Sequence, residues 1–407
     1  MKVLYIVTAY PRDEKDVITP WMGETIDRLR KSGVDVEVLA PSYRGSSTGF
    51  INGVKVHRFR YAPAAFETLT HDMPALDRIS RNPLFASLLP LYVAAGTAAA
   101  RRIAVEGKFD VVHAFWPIPH GIFGLAAREA SGAALVSTFF SAELNWKGPA
   151  RAAFAPILRR IVRSSDAITV ISSYTGQRLR EYVPGVETAT IPFGAAARRR
   201  EEVPPVRTRE ASDHFELLFV GRLVRRKGVD VLLRAAQILK GDSRLRIRIV
   251  GGGPERQALE SLARELDVLD VVSFEGVIDE KRIDAMFTQC DALVLPAIVT
   301  ETGDTEGLGV VLIEAMGYGK PVIASAAGGI VDIVSDGDTG LLVPAGDPAA
   351  LGSAIRRAMD EPAAMAAMAK RGTVFAERAF GWDAIVGRLR EVYGVAVKAR
   401  HPDWRES

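Results

Sequence analysis

The sequence predicts an α/β protein made of two doubly wound, Rossmann-like domains, and three observations carry that prediction. Short β-branched runs alternate with helix-length segments along nearly the whole chain, the pattern of parallel sheets flanked by helices. The two halves open on one plan. VLYIVTA from Val3, a helix near Trp21 to Lys31 and the strand VDVEVLAP are matched by ELLFVGRL from Glu216, the helix GVDVLLRAAQILK and the strand LRIRIVGGGP. Finally, 407 residues exceed one ordinary domain.

Taken in order, the first half continues through DVVHAF, ALVSTFF, DAITVIS and ATIPFG, each separated by helix-like sequence. The second continues through VVSFEGVI, DALVLPA, KPVIASA and GLLVPAGD. The boundary is expected between Gly194 and Asp213, where charge clusters, paired prolines and no apolar period mark a linker. Its basic triplet, Arg198 to Arg200, reads as solvated linker. The first domain is therefore expected over residues 1–195, the second over 196–379. Beyond Pro348 the pattern is helical to about Val397, and the last helix, from Trp382 through Tyr393 within residues 380–407, is expected to return to the first domain. Two such domains are expected to flank a ligand cleft.

Composition bounds the function. Hydrophobic residues make up 48% and charged residues 25%, as in a globular enzyme, and the net charge of +3 is too small to indicate nucleic acid. The single cysteine, Cys290, excludes an intrachain disulfide framework and cannot alone supply a zinc site; a buried, inert thiol is expected. Cytoplasmic location follows as the default, and MKVLYIVTAYPRDE reads as a first core strand, not a signal peptide. Leu84 to Ala100 carries no charge, but Pro90 and Gly96 interrupt it. A buried or interfacial helix is expected there, compatible with peripheral contact of the first domain with the inner face of a membrane.

Chemistry concentrates in the second half. Glu306 and Glu314 bracket EGLGVVLIEAM, read as the first turns of a buried helix. Eight residues of helix would bring the second acid to within about 80° of the first, so both carboxylates would line one crevice. Acids in so apolar a segment need hydrogen-bonding partners, and hydroxyl groups are the natural candidates, which suggests a sugar. GRLVRRKG puts Arg222 and Lys227 after a strand, where cations can meet a diphosphate. The turn Gly251 to Glu255, including Gly252 and Gly253, permits close backbone approach and opens a helix whose amides attract anions. The helix after EGLG offers unpaired amides near the same sheet edge.

These segments, with FEGVI and AGGIVDIVSDGDTGLLVPAGDP, resemble the donor domain of glycosyltransferase family 4, retaining enzymes with the GT-B fold, from about Phe215 to Pro348. The first half is similar more loosely, through its opening strand, DVVHAFW, IPFG and the final helix. The resemblance implies transfer of a hexose from a nucleotide diphosphate sugar, UDP- or GDP-linked, to a glycan or lipid-linked glycan. It implies that Glu314 holds ribose hydroxyls, Glu306 the donor sugar, and Arg222 and Lys227 the diphosphate. Backbone around Val277 and Ile278 would face the base. Gly221, Gly307, Leu308, Gly309 and Val310 complete the expected donor site. Neither a metal nor another cofactor is expected, since the cations neutralise the leaving group; Asp336 and Asp338, in DGDTG, read as a turn. Retention would let the departing phosphate take the acceptor proton.

Two departures stand out. Family members often carry a histidine in a T-x-H-G strand end, where this chain has Phe140 in Ser137-Thr138-Phe139-Phe140-Ser141-Ala142-Glu143; phenylalanine cannot donate or move a proton. The loop AYPRDEKDVITPW also lacks the double-glycine turn of many relatives. His113, at a strand end, is the candidate catalytic replacement, with His120, Ser141 and Glu143 as further candidates and Trp116 as an apolar wall. Alternatives are a GT-B-type epimerase or phosphorylase, or a catalytically silent nucleotide-sugar-binding protein. A dehydrogenase is disfavoured, because no G-x-G-x-x-G turn follows the first strand.

Overall fold

The structure, a computed structural model, describes residues 1–16, 18–73, 75–192 and 214–404. The expected boundary segment, Gly194 to Asp213 with its basic triplet, lies outside them. Two compact units emerge. One comprises Met1–Ile171, Thr175–Ile191 and Ile385–Ser407; the other comprises Ser172–Tyr174 and Pro192–Ala384.

The first unit contains β1 (Lys2–Ile6), β2 (Asp35–Pro41), β3 (Gly49–Ile51), β4 (Val54–Phe59), β5 (Val111–Phe115), β6 (Ala134–Phe139), β7 (Ala167–Val170) and β8 (Ala189–Thr190). They form one sheet in the order β3-β4-β2-β1-β5-β6-β7-β8, parallel except for the β3–β4 pair. Continuous apolar runs suit strands covered on both faces, and Val3, Leu4, Tyr5 and Ile6 are wholly buried. The β3–β4 hairpin is not among the expected strands. Its signal was local: Asn52-Gly53, at φ 49° and 71°, makes the turn between GFI and VKVHRF.

The charge-free stretch becomes a short 3₁₀ turn, Pro83–Ser87, and the helix Leu88–Gly107. Tyr92, Gly96, Ala100, Ile103 and Ala104 are buried, whereas Leu84 and Leu91 are exposed. Together they are long and apolar enough to cross a membrane by length and composition. The last helix runs further than expected, Trp382–Arg400. Its Tyr393 is fully buried, with its hydroxyl 2.8 Å from both Tyr5 Oη and His113 Nδ1.

The second unit contains β9 (Phe215–Val220), β10 (Leu245–Val250), β11 (Val272–Gly276), β12 (Ala292–Leu295), β13 (Val322–Ser325) and β14 (Leu341–Val343). Their order is β11-β10-β9-β12-β13-β14, all parallel. Strand order reverses between β9 and β12, so the crevice at their carboxyl ends is where such a sheet takes a ligand. In the first unit the reversal falls between β1 and β5.

Candidate active site

The loop after β9 carries the cations. Gly221 extends the ladder by donating its N–H to the Val250 carbonyl (3.0 Å), and the chain then turns through the 3₁₀ segment Arg225–Lys227. Gly228 follows at φ 65°; a Cβ there would lie 1.9 Å from the Pro296 carbonyl oxygen, beyond β12. Only glycine lets the two loops meet, and the meeting fixes Lys227 at the strand-order reversal. Arg225 and Arg226 pair with Asp230 (3.6 Å) and Asp304 (3.4 Å). Arg222 is exposed and, among the described residues, makes no ion pair.

Lys227 Nζ lies 2.6 Å from Glu306 Oε2, with 13% of each side chain exposed. Glu306 precedes the helix, at the mouth of the turn as the sequence reading has it, but the helix begins later than expected from the residues between the two acids. That helix is Val310–Gly317, capped by Gly309 at φ 94° with no side-chain cap. The two acids therefore do not share one helix, and the rotation argument does not apply. Gly307, Leu308 and Gly309 look helical by apolarity, but the positive φ of Gly309 ends the helical path before Glu306. Glu306 is instead positioned from behind. Its carbonyl accepts from the Gly329 N–H (2.9 Å), and a Cβ on Gly328 (φ 55°) would sit 1.9 Å from the same oxygen. Gly328 lies in the segment AGGIVDIV, and the close approach of its backbone to an acid is a signal that chain order hides. Glu314 lies on the half-buried face of the helix with Val310, while Leu312 and Ile313 point into the core.

The glycine turn closes the same edge. Gly252 accepts from the Leu223 N–H (2.8 Å), and the Leu223 carbonyl accepts from the Glu255 N–H (3.1 Å), so the loops after β9 and β10 are stitched together. A Cβ on Gly253 would be 2.2 Å from the Leu223 carbonyl oxygen and one on Gly252 2.9 Å from Val277 Cγ2. The tightest approach these glycines permit is thus to the protein itself. The helix they lead into is Arg256–Glu265. Val277 and Ile278 follow β11, with Val277 83% exposed. Asp336 and Asp338 do form a turn: one accepts from the Leu342 N–H (2.9 Å) and the other pairs with Arg371 (2.7 Å). A cavity of about 390 Å³ lined by Glu216, Arg248, Met286 and Cys290 lies at the opposite, amino end of β9, away from these residues. Burial pushes the Cys290 thiol up to about 12, leaving it unreactive.

His113 does not fit its expected catalytic role. It is wholly buried, with Nδ1 2.8 Å from Tyr393 Oη and Nε2 2.6 Å from Thr138 Oγ1, and it stacks on Phe115. Burial pushes its pKa down to about 3, so the imidazole stays neutral with both nitrogens occupied. His120 is likewise buried between Tyr92 Oη (3.0 Å) and the Phe115 carbonyl (2.8 Å), its pKa pushed down to about 4. Both histidines brace the first unit's core. Phe140 is buried beneath Trp116, ring centroids 4.2 Å apart.

Comparison with known proteins gives the family. Residues 203–375 match the family described as glycosyl transferases group 1, and residues 21–199 match glycosyltransferase family 4. The chain is 31% identical over 316 residues to a GDP-mannose-dependent alpha-(1-6)-phosphatidylinositol monomannoside mannosyltransferase of Mycolicibacterium smegmatis, covering 75% of this chain and 82% of the relative. It is also 31% identical over 351 residues to a D-inositol 3-phosphate glycosyltransferase of Acidothermus cellulolyticus, covering 78% and 75%. Among solved structures, a sucrose-phosphate synthase from Thermosynechococcus elongatus superposes with a TM-score of 0.73 at 24% identity, covering 97% of this chain and 98% of the other. The starch synthase IV catalytic domain from Arabidopsis thaliana gives 0.70 at 16% identity, over 98% and 99%. With two parallel α/β sheets, paired family matches and relatives aligned over most of their length, the chain belongs to glycosyltransferase family 4 and is a glycosyltransferase of the GT-B fold.

Proposed function

We propose that this protein moves a hexose from a nucleotide diphosphate sugar, UDP- or GDP-linked, to a glycan or lipid-linked glycan, with retention and without a metal ion. The Lys227–Glu306 pair carries the reading: a cation and an acid held 2.6 Å apart where the strand order reverses. Breaking a sugar–diphosphate bond builds negative charge on the departing phosphate. Lys227, Arg222 and the uncapped amides at the start of Val310–Gly317 stabilise that charge. Glu306 accepts hydrogen bonds from donor-sugar hydroxyls and Glu314 from ribose. The acceptor hydroxyl attacks from the side the phosphate leaves, and the phosphate takes its proton, so no protein nucleophile is needed. The exposed surface at Val277 and Ile278 suits a base read through backbone. The two curated relatives, by their names, act on an inositol-containing lipid and an inositol phosphate, which favours an acceptor of that chemistry over a plain polysaccharide. We place the work in the cytoplasm, with the first unit at the inner face of a membrane.

The test is transfer, measured by product analysis across nucleotide sugars and acceptors with chelator present. Lys227→Ala and Glu306→Ala proteins that remain folded are expected to lose roughly 10²–10³-fold in turnover. Wild-type turnover in both would sink the assignment.

A further inference from the structure

The turn after β11 carries a contact that the donor chemistry does not use. Gly276 ends that strand at φ 72°, and a Cβ there would lie 2.9 Å from Arg256 Nη1. The left-handed backbone favours glycine, and the bare Cα lets a guanidinium lie against the turn. Arg256 is the first residue of the helix Arg256–Glu265, which follows the glycine turn. Its Nε donates to Glu260 Oε1 (2.7 Å), one helical turn further on, and that bond sets the plane of the guanidinium. Nη1 and Nη2 make no hydrogen bond among the described residues, and the side chain is 42% exposed, so a ligand can reach them. The neighbours show where those ends stand. The Gly251 N–H donates to the Gly276 carbonyl (2.8 Å), and a Cβ on Gly252 would lie 2.9 Å from Val277 Cγ2. Arg256, the glycine turn and Val277 therefore gather at the carboxyl ends of β10 and β11, where the backbone proposed to face the base begins. The acids of the same turn are engaged elsewhere: Glu275 pairs with Arg282 (2.9 Å), and Asp279 accepts from the Arg282 N–H (2.8 Å).

A guanidinium held by its Nε and open at both ends offers two parallel N–H groups, and a pair of adjacent acceptors answers such a fork. Guanine presents that pair as O6 and N7. Adenine sets a donor beside N7, and uracil has a single carbonyl oxygen at the same edge. We propose that Arg256 selects the base, reading guanine through O6 and N7, so that the donor is a GDP-sugar. The inference rests on the transferase reading and narrows its choice between UDP- and GDP-linked donors.

Calorimetric titration of the full chain with GDP, UDP, ADP and 7-deaza-GDP, which lacks the N7 acceptor, tests it. The wild type is expected to bind GDP roughly tenfold or more tightly than UDP or ADP, and roughly fivefold or more tightly than 7-deaza-GDP. In Arg256→Ala GDP is expected to fall to the level of 7-deaza-GDP, with UDP unchanged. Arg256→Lys keeps a cation for Glu260 but has no fork; it is expected to lose the same preference and decides the matter if Arg256→Ala misfolds. A side chain that only props the turn would weaken all four nucleotides alike, and that result overturns the proposal. So does a wild type that prefers UDP or ADP, one that holds 7-deaza-GDP as tightly as GDP, or a folded variant that keeps the GDP preference. The two readings fail separately. If sugar is transferred but the nucleotide preference ignores Arg256, only this assignment falls; if no nucleotide binds and no nucleotide sugar reacts, the transferase reading falls and takes the assignment with it.

Discussion

Lys227 and Glu306 are partly shielded, and that makes their single substitutions ambiguous. An exposed pair is worth up to about 1 kcal/mol, whereas stripping one partner from a buried pair costs about 3–5 kcal/mol; 13% exposure lies between these cases. The Lys227→Ala/Glu306→Ala double variant resolves this. It leaves no unpaired charge, so by chemical denaturation it is expected to be at least as stable as the worse single variant, while transfer stays as low as in either. Recovered activity would assign the pair to folding instead. Glu143 gives a second residue-level expectation, with its sign set by linkage. Its pKa rises from an ordinary 4.5 in the unfolded chain to about 7 when folded, so between these values the native state binds more protons. Stability conferred at this site therefore falls as pH rises from about 4.5 to about 7, by about 3 kcal/mol, and is level above. Glu143→Gln removes that slope. Denaturation at several pH values is expected to show the variant gaining on the wild type as pH rises, and the opposite trend would mean that the acid is ionised and satisfied in the fold.

At the scale of elements, the helix Trp382–Arg400 was expected to return to the first unit, and Ile385–Ser407 groups with it. What the sequence hid is the anchor. Tyr5, His113 and Tyr393 stand far apart in the chain, and nothing in DVVHAF distinguishes a catalytic strand-end histidine from one that braces a helix. Tyr393→Phe would leave Tyr5 Oη without its 2.8 Å partner and His113 Nδ1 without its own, both wholly buried. A loss of about 1–3 kcal/mol is expected on denaturation. The turn before the helix Val310–Gly317 was misread for a different reason: Gly307 and Gly309 sit in an otherwise apolar run, and the left-handed φ that Gly309 adopts starts the helix only at Val310. The helix start, not the position of Glu306 ahead of it, is what the periodicity misplaced. Gly228 is the sharper case of an element set by one residue. A methyl there meets the Pro296 carbonyl at 1.9 Å, so Gly228→Ala must move the loop that carries Lys227. The variant is expected to lose donor turnover out of proportion to any loss of stability, read by comparing kcat with the denaturation midpoint.

Across the whole molecule, what could be read early followed how local its cause was. Alternating strands and helices are written in short windows, so both parallel sheets were legible, and the Asn52-Gly53 hairpin that was missed had an equally local signal. The proposed donor edge takes its residues from the loops after four consecutive strands of one unit, β9 to β12, so each group stands in a short window. In the first unit Trp116, Phe140 and Glu143 stood out one by one, but their gathering with Trp21 shows only when β1, β5 and β6 line up. This asymmetry yields a prediction for the intact chain. A nucleotide that binds the native donor edge and not the unfolded chain stabilises by about 2.7 kcal/mol at one hundred times its dissociation constant. For a folding unit of this size that is a rise of roughly 5–10 °C in Tm. Thermal scans with UDP, GDP and ADP should show such a rise for one of them in the wild type and in Glu143→Gln, whose altered residue lies in the other unit. The same nucleotide should give a much smaller rise in Arg222→Ala, which removes an exposed guanidinium of the β9 loop that makes no ion pair among the described residues. An undiminished rise in Arg222→Ala would take that cation out of the diphosphate's site and leave Lys227 to carry it.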